Sequence, residues 1–222
     1  MSDTRIALIS ATPLAIAPAA AAIGEAFPNG TVWNLLDDRL LADAKVEGGI
    51  TELLAARMDH LIDLALAGGA DGVLLTCSQY GGRAEVRDAA TDGVAVLSAD
   101  GPLFAEAVAQ RPSRVLLVAS LESAASDSTE RLAAAFAAAG LETELLPIVV
   151  AAAAQPLTED RLGEVLADGV AEVDADYDVI VLAQFSLAPA AAALADRFGV
   201  PVLDGPRAAA RRLAAEIDGR AR

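Results

Sequence analysis

Short apolar segments alternate along the chain with longer segments in which leucine and alanine recur every three or four positions. The apolar segments are RIALISAT, TVWNLL, GVLLTCS, VAVLS, RVLLVAS, ETELLPI, DVIVLAQFS and VPVLD, at residues 5–12, 31–36, 72–78, 94–98, 114–120, 142–148, 178–186 and 200–204. Continuous apolar runs are typical of strands covered on both faces of a parallel sheet, and a 3.6-residue period is typical of helices. The pattern therefore predicts an α/β fold with parallel strands.

The first four strands and the last four follow one another with matching spacings. Cys77 and Gln184 occupy equivalent places in the two sets, and 107 positions separate them. A GV-x-VL segment begins 16 positions after Cys77 and 15 after Gln184, and a Gly-Pro pair follows each segment. This duplication predicts two similar Rossmann-like lobes. We expect the first lobe to comprise residues 1–98 plus 206–222, and the second to comprise residues 99–205.

Polar side chains gather where the predicted strands end. In parallel α/β sheets, ligands bind beyond the carboxyl ends of the strands, where helix amino termini and loop hydroxyls meet. Two lobes facing each other would form one cleft, with Cys77 on one wall and Gln184 on the other. The hydroxyl groups available at these strand ends belong to Ser10, Thr12, Thr76, Ser78, Tyr80, Ser120 and Ser186.

Charge and composition narrow the range of partners and locations. The net charge of −16 argues against nucleic acid or an anionic membrane as partner. The longest apolar stretches are interrupted before they reach membrane-spanning length, and the segment MSDTRIALIS lacks the pattern of a signal peptide. One cysteine cannot form an internal disulfide and suits a reducing compartment, so we expect a cytoplasmic protein.

Several classes of cofactor are disfavoured by the residues present. Lys45 is the only lysine and lies in a polar segment, which argues against Schiff-base chemistry. Neither GxGxxG nor GxxxxGK[ST] occurs, so no nucleotide-binding loop is indicated. Asp37 and Asp38 have no further ligand at metal-binding spacing, and we expect no metal site. His60 is predicted on the polar stripe of its helix, as a surface residue.

The segments ATPLAIAP, NLLDDRLL, GADGVLLTCSQYG and DVIVLAQFSLA resemble the aspartate/glutamate racemase superfamily. That superfamily includes amino-acid and hydantoin racemases, maleate cis–trans isomerases and arylmalonate decarboxylases. The resemblance covers essentially the whole chain. It implies two pseudo-symmetric lobes, an active site between them, no cofactor, and a cysteine from each lobe flanking the α-carbon of a small carboxylate. Cys77 matches the first of these cysteines, whereas Gln184 stands at the position of the second.

One thiol leaves three hypotheses open. Cys77 can serve a racemase or isomerase whose second proton carrier is Asp100, Glu122 or water. It can instead serve a one-base reaction, either a decarboxylation or the addition–elimination of a maleate-type isomerase. The third hypothesis is a small-acid-binding protein without catalysis. In each, Gln184 and the strand-end hydroxyls contact the substrate. Dimers are common in such families, so a homodimer or a higher homo-oligomer is compatible with the resemblance.

Overall fold

The computed structural model describes residues 4–91 and 93–220, apart from the side chain of residue 220. Its strands are β1 (Arg5–Ser10), β2 (Thr31–Leu36), β3 (Gly72–Leu75), β4 (Ala95–Leu97), β5 (Arg114–Ala119), β6 (Glu144–Val149), β7 (Val179–Leu182) and β8 (Val202–Asp204). Its α-helices are α1 (Ile16–Ala26), α2 (Leu40–Glu47), α3 (Glu52–Ala67), α4 (Gly81–Ala90), α5 (Gly101–Gln110), α6 (Glu122–Ala138), α7 (Glu159–Ala171), α8 (Ala191–Phe198) and α9 (Gly205–Arg220). Short 3-10 turns cover Pro13–Ala15, Ser78–Tyr80, Ala151–Ala154 and Phe185–Ala190.

The strands form two parallel sheets of four strands each. The first has the order β2-β1-β3-β4 and the second the order β6-β5-β7-β8. The chain divides into two compact units: a first unit of Met1–Pro102 with Pro206–Arg222, and a second unit of Leu103–Gly205. The predicted fold class, α/β with parallel sheets and flanking helices, is confirmed.

The central strands carry the core of each sheet. Every residue of β3 and β7 is buried, as is every residue of β1 and β5 after the first arginine. Burial on both faces explains why these strands read as unbroken apolar runs. The edge strands β2 and β6 are partly exposed, and Pro147 lies within β6. Proline lacks a backbone N–H, and it is tolerated there because one side of an edge strand has no neighbouring strand to which an N–H must donate.

The sequence repeat has a structural counterpart at the starts of the strands. Asp71, just before β3, accepts a hydrogen bond from the backbone N–H of Arg5 at 2.8 Å. Asp178, 107 positions later, accepts bonds from the N–H groups of Ser113 and Arg114 at 2.7 and 2.9 Å. In each unit an aspartate before the third strand therefore satisfies the first strand's otherwise unpaired donors.

The strands that carry the predicted site residues are shorter than the sequence pattern predicts. β3 ends at Leu75 and β7 at Leu182. The N–H groups of Thr76 and Ala183 still donate to the neighbouring strand, to Ile9 and Val118, each at 2.9 Å. After these two bonds the chain turns away into a 3-10 turn, because hydroxyl and amide side chains offer it partners outside the sheet.

Helix α9 packs on the first sheet. A Cβ atom built on Gly72 in β3 would lie 2.7 Å from Cδ1 of Leu213, and Leu213 is fully buried. Glycine at position 72 therefore leaves the space that the Leu213 side chain fills. This contact joins α9 to the strand that precedes Cys77.

Candidate functional site

Cys77 lies two residues after the end of β3, in a segment that we call the Cys77 turn, residues Thr76–Tyr80. Its backbone is extended, with φ −117° and ψ 118°, and its carbonyl accepts a hydrogen bond from the N–H of Tyr80 at 3.2 Å. The residue is 8 % exposed and belongs to a core cluster with Tyr80, Leu40 and Met58. The thiol thus lies in apolar surroundings at the carboxyl end of a central strand.

A pair of buried hydroxyls lies beside the Cys77 turn. Thr76 Oγ1 donates to Ser10 Oγ at 2.9 Å, and both residues are at most 4 % exposed. Ser10 ends β1 and Thr76 follows β3, so the parallel pairing of these two strands brings the hydroxyls together. Thr12 has a different partner, since its Oγ1 accepts from the N–H of Leu14 at 3.4 Å at the start of a 3-10 turn. Ser78 is half-buried and begins the next such turn.

Tyr80 is fully buried, and its hydroxyl donates to the backbone carbonyl of Leu40 at 3.3 Å. Burial raises the pKa of the phenol, and the nearby Cys77 thiolate charge raises it further. The phenol therefore stays protonated at neutral pH. Its hydrogen links the Cys77 turn to the first residue of α2.

An ion-pair network lies next to Tyr80. The Arg57 guanidinium, from α3, donates Nε and Nη2 to the Asp37 carboxylate and Nη1 to Asp43 Oδ2 at 2.7 Å. Arg39 donates to the other oxygen of Asp43 at 2.9 Å. Hydrogen bonds from Arg39 and Arg57 lower the pKa of the Asp43 carboxyl. Asp37 is thus bound to the protein's own arginine, as a loop anchor. Sequence reasoning missed Arg57, because nothing in its spacing from Asp37 indicates a contact.

In the second unit, Gln184 and Ser120 form a pair at equivalent strand ends. Gln184 Oε1 accepts from the backbone N–H of Ser120 at 2.7 Å and from its hydroxyl at 3.0 Å. A backbone N–H can only donate, so the amide oxygen must face Ser120 and Nε2 must point elsewhere. Ser120 is buried, whereas Gln184 is half-buried. Ser186, also half-buried, lies in the 3-10 turn that follows.

The remaining titratable residues that the sequence singled out differ in exposure. Asp100 is buried, at 3 % exposure, whereas Glu122 is exposed in the first turn of α6. His60 lies on α3 and is exposed, in agreement with its predicted place on the polar face of that helix. Across residues 4–91 and 93–220, no three His, Cys, Asp or Glu side chains are grouped so as to hold a metal ion.

A shallow polar depression lies at the other end of the second sheet. It is lined by Arg114, Glu144 and residues 173–176, next to the first residues of β5 and β6. Ligands of parallel sheets bind at the carboxyl ends of strands, so this depression is not favoured as a substrate site.

The family model for Asp/Glu/Hydantoin racemase matches residues 15–213. The chain belongs to this family. The resemblance predicted from the sequence is thereby confirmed, and membership in the racemase family supports a racemase-like enzyme. A search of curated proteins finds no match. No helix in the described part of the chain is long and apolar enough to cross a membrane.

Solved structures show the same racemase fold at low sequence identity. Allantoin racemase from Klebsiella pneumoniae is 17 % identical with a TM-score of 0.68, over 97 % of this chain and 88 % of that one. Glutamate racemase from Thermus thermophilus is 14 % identical with a TM-score of 0.70, over 99 % and 83 %. An arylmalonate decarboxylase is 20 % identical with a TM-score of 0.58, over 95 % and 92 %.

Proposed function

We propose that this racemase-family protein transfers a proton at the α-carbon of a small carboxylate or amino acid without a cofactor, and that Cys77 is the acid/base. The observation that carries the proposal is the place of the chain's only cysteine. It follows a buried central strand, and the residue before it, Thr76, is hydrogen-bonded to Ser10. We further propose that the reaction takes place in the cytoplasm.

The surroundings of Cys77 suit proton abstraction. A thiolate in a site that excludes most water accepts the α-proton, and the electron pair of the broken C–H bond passes into the substrate's carboxylate as an enolate. Donors aimed at that developing charge lower the barrier. Hydroxyls and backbone N–H groups at the ends of β1 and β3 can supply them. In a one-base reaction the thiol formed in this step returns a proton to the same face of the carbon, whereas in a racemase the second proton carrier delivers a proton to the opposite face.

Gln184 acts as a donor in this proposal. Its oxygen is held by Ser120, so its free end presents two N–H hydrogens to a ligand. Those hydrogens match a carboxylate or enolate oxygen and repel an ammonium group. A carboxamide also cannot act as an acid or a base near neutral pH, because it neither ionises nor takes up a proton there. Gln184 therefore binds the substrate, and the second proton comes from Asp100, Glu122 or water.

The amide at position 184 also favours a second candidate, a reaction that needs one proton carrier. Decarboxylation followed by protonation from the Cys77 side meets this requirement. So does reversible addition of the Cys77 thiolate to the double bond of an unsaturated diacid, followed by bond rotation and elimination of the thiolate. Neither reaction requires a base at position 184.

Proton exchange in heavy water tests the proposal. The full chain is incubated in heavy water with each enantiomer of aspartate and glutamate, with hydantoins, and with arylmalonate and maleate. We expect deuterium to enter the α-carbon of at least one of these compounds, because a thiolate that removes the α-proton returns a solvent-derived one. Mass spectrometry and chiral chromatography follow exchange and configuration together.

The outcomes separate the candidate functions. Exchange with loss of configuration supports a racemase. Exchange with retention, loss of carbon dioxide, or conversion of maleate supports a one-base reaction. Binding detected by calorimetry, with no exchange or conversion across the panel, would overturn the enzymatic proposal in favour of a small-acid-binding protein.

Gln184→Glu tests the donor role. Glutamate keeps an oxygen for Ser120 but replaces the amide donor by a carboxylate oxygen. A hydrogen bond to a charged group contributes about 1.5–3 kcal/mol, so we expect KM for the substrate found above to rise about tenfold or more. Gln155→Glu, with the same charge change on an exposed residue, is the matched control. A lower KM in Gln184→Glu would mean that this end binds an ammonium, and an unchanged KM would place Gln184 outside the site.

A further inference from the structure

A closed ring of hydrogen bonds, linked by the backbone, passes through the Cys77 turn within the first unit. Tyr80 donates its N–H to Cys77 O at 3.2 Å and its hydroxyl to Leu40 O at 3.3 Å. Leu40 donates its N–H to Asp37 O at 3.2 Å, and Asp37 donates its N–H to Ser10 O at 3.1 Å. Ser10 Oγ in turn accepts from Thr76, the residue before Cys77. The ring therefore starts and ends in the Cys77 turn.

The least buried part of this ring is the segment between β2 and α2, residues 37–39. Asp38 and Arg39 are exposed, and the segment has no core residue of its own. The Asp37 carboxylate stabilises it locally by accepting from the N–H of Arg39 at 3.2 Å. Without a further anchor such a segment would be mobile, and Leu40 O would no longer be held in front of Tyr80.

Arg57 supplies the anchor. It contacts both oxygens of the Asp37 carboxylate, with Nη2 2.8 Å from Oδ1 and Nε 3.2 Å from Oδ2, and it reaches Asp43 in α2 with Nη1. Charge-assisted bonds of this forked kind fix orientation as well as distance. Arg57 is 34 % exposed and Asp37 22 %, so the pair is partly shielded from water. One guanidinium thus ties the loop and α2 to α3.

Other ion pairs in the same unit lack this connection. Arg83 pairs with Asp59, and Arg87 with Asp63, and both link α3 to α4. Neither pair includes a residue of the hydrogen-bonded ring, whereas Asp37, which Arg57 binds, belongs to it. The Arg57 network therefore reaches the loop and helix start whose Leu40 carbonyl accepts the Tyr80 hydroxyl.

We infer that Arg57 and Tyr80 are positioning residues for Cys77: Arg57 holds the β2–α2 loop, the loop holds the Tyr80 hydroxyl, and Tyr80 fixes the turn that carries the thiol. The consequence for turnover rests on the proposed function of Cys77. The consequence for the thiol's accessibility does not. The sequence alone assigns Tyr80 to the substrate; here its hydroxyl hydrogen is used within the protein.

Alkylation of Cys77 in the folded full-length chain tests the inference. Because the chain has one cysteine, iodoacetamide labelling reports on that thiol alone. The alkylation rate is measured at rising pH until it stops increasing, because the thiol is then fully ionised. A difference in this plateau rate between variants therefore reflects the accessibility of the thiolate and not its pKa. We expect Arg57→Gln and Tyr80→Phe to raise the plateau rate at least about tenfold, because a released turn opens more often. Arg57→Lys keeps the positive charge but cannot bind both oxygens of the Asp37 carboxylate. Its plateau alkylation rate should lie between those of wild type and Arg57→Gln.

Arg87→Gln is the matched control, since it breaks an Arg–Asp pair of α3 outside the ring. Urea unfolding shows that each variant is folded before labelling, and plateau rates are compared with the rate of global unfolding. In the same variants kcat for the substrate identified by exchange should fall about tenfold with KM changed less than about threefold, as expected for misplacement of a catalytic group. Folded Arg57→Gln and Tyr80→Phe proteins whose plateau rates match those of wild type and Arg87→Gln would overturn the inference.

The two hypotheses fail in different ways. If Cys77→Ala retains exchange activity, the proposed function is wrong, and altered alkylation of the Arg57 and Tyr80 variants still supports the positioning role. If Cys77→Ala loses activity and the alkylation rates stay unchanged, the function stands and the positioning role is wrong.

Discussion

Cys77→Ala and Cys77→Ser should each lower the rate of α-proton exchange by about a thousandfold, within the 10²–10⁴-fold effect of a positioned acid/base. Alanine removes the proton carrier, and serine replaces it by a hydroxyl whose pKa is far above that of a thiol. A thousandfold loss corresponds to about 4 kcal/mol of activation free energy. The measurement is deuterium incorporation in heavy water with the substrate that the wild type exchanges.

Loss of activity in these variants must be separated from loss of structure. Cys77 is 8 % exposed and packs in a core cluster, and the sulfur is small, so we expect the free energy of unfolding to fall by no more than about 1–2 kcal/mol. Gln79→Ala changes an exposed side chain in the same turn and should retain activity. Exchange at the wild-type rate in Cys77→Ala would remove the thiol from the mechanism.

Leu213→Ala lowers the free energy of unfolding by about 2–5 kcal/mol, the usual range for a buried leucine. Leu213 is fully buried, and its side chain occupies the space left by Gly72. The shortened side chain leaves a cavity between α9 and β3. Urea unfolding followed by circular dichroism measures the change.

The partner residue provides a sharper test of the same contact. Gly72→Ala alone places a methyl group 2.7 Å from Leu213 Cδ1 and should cost about 1–3 kcal/mol through overpacking. In the double variant that methyl group fills part of the cavity, so the two costs should not add. Strict additivity of the two free-energy changes would show that α9 does not pack on β3 through this pair.

Much of the candidate site could be read from the residues along the chain. The strands that end at or just before Ser10, Cys77 and Gln184 are buried on both faces. Such strands consist of continuous apolar residues, so they are recognisable in the sequence. The sequence placed Ser10 and Thr76 at strand ends, and the parallel pairing of β1 with β3 in the structure brings their hydroxyls together. These features depend on local period and on topology, which the order of elements specifies.

Other features required the fold. The partners of Asp37 and Gln184 are 20 and 64 positions away, and no spacing rule connects side chains across such distances. Tyr80 looks like a donor to a ligand because it follows the thiol in sequence. The path of the β2–α2 loop determines that a backbone carbonyl takes its hydrogen instead.

The sequence by itself determined the alternation of strands and helices, their duplication, the racemase family and the position of one thiol at a strand end. Only the tertiary structure decided which atoms of Gln184, Tyr80 and Arg57 are already bonded within the protein. The pattern of buried positions is a property of each segment, so it can be read from that segment's own residues. Whether a polar group remains free for a ligand depends on the chain segments that folding brings next to it.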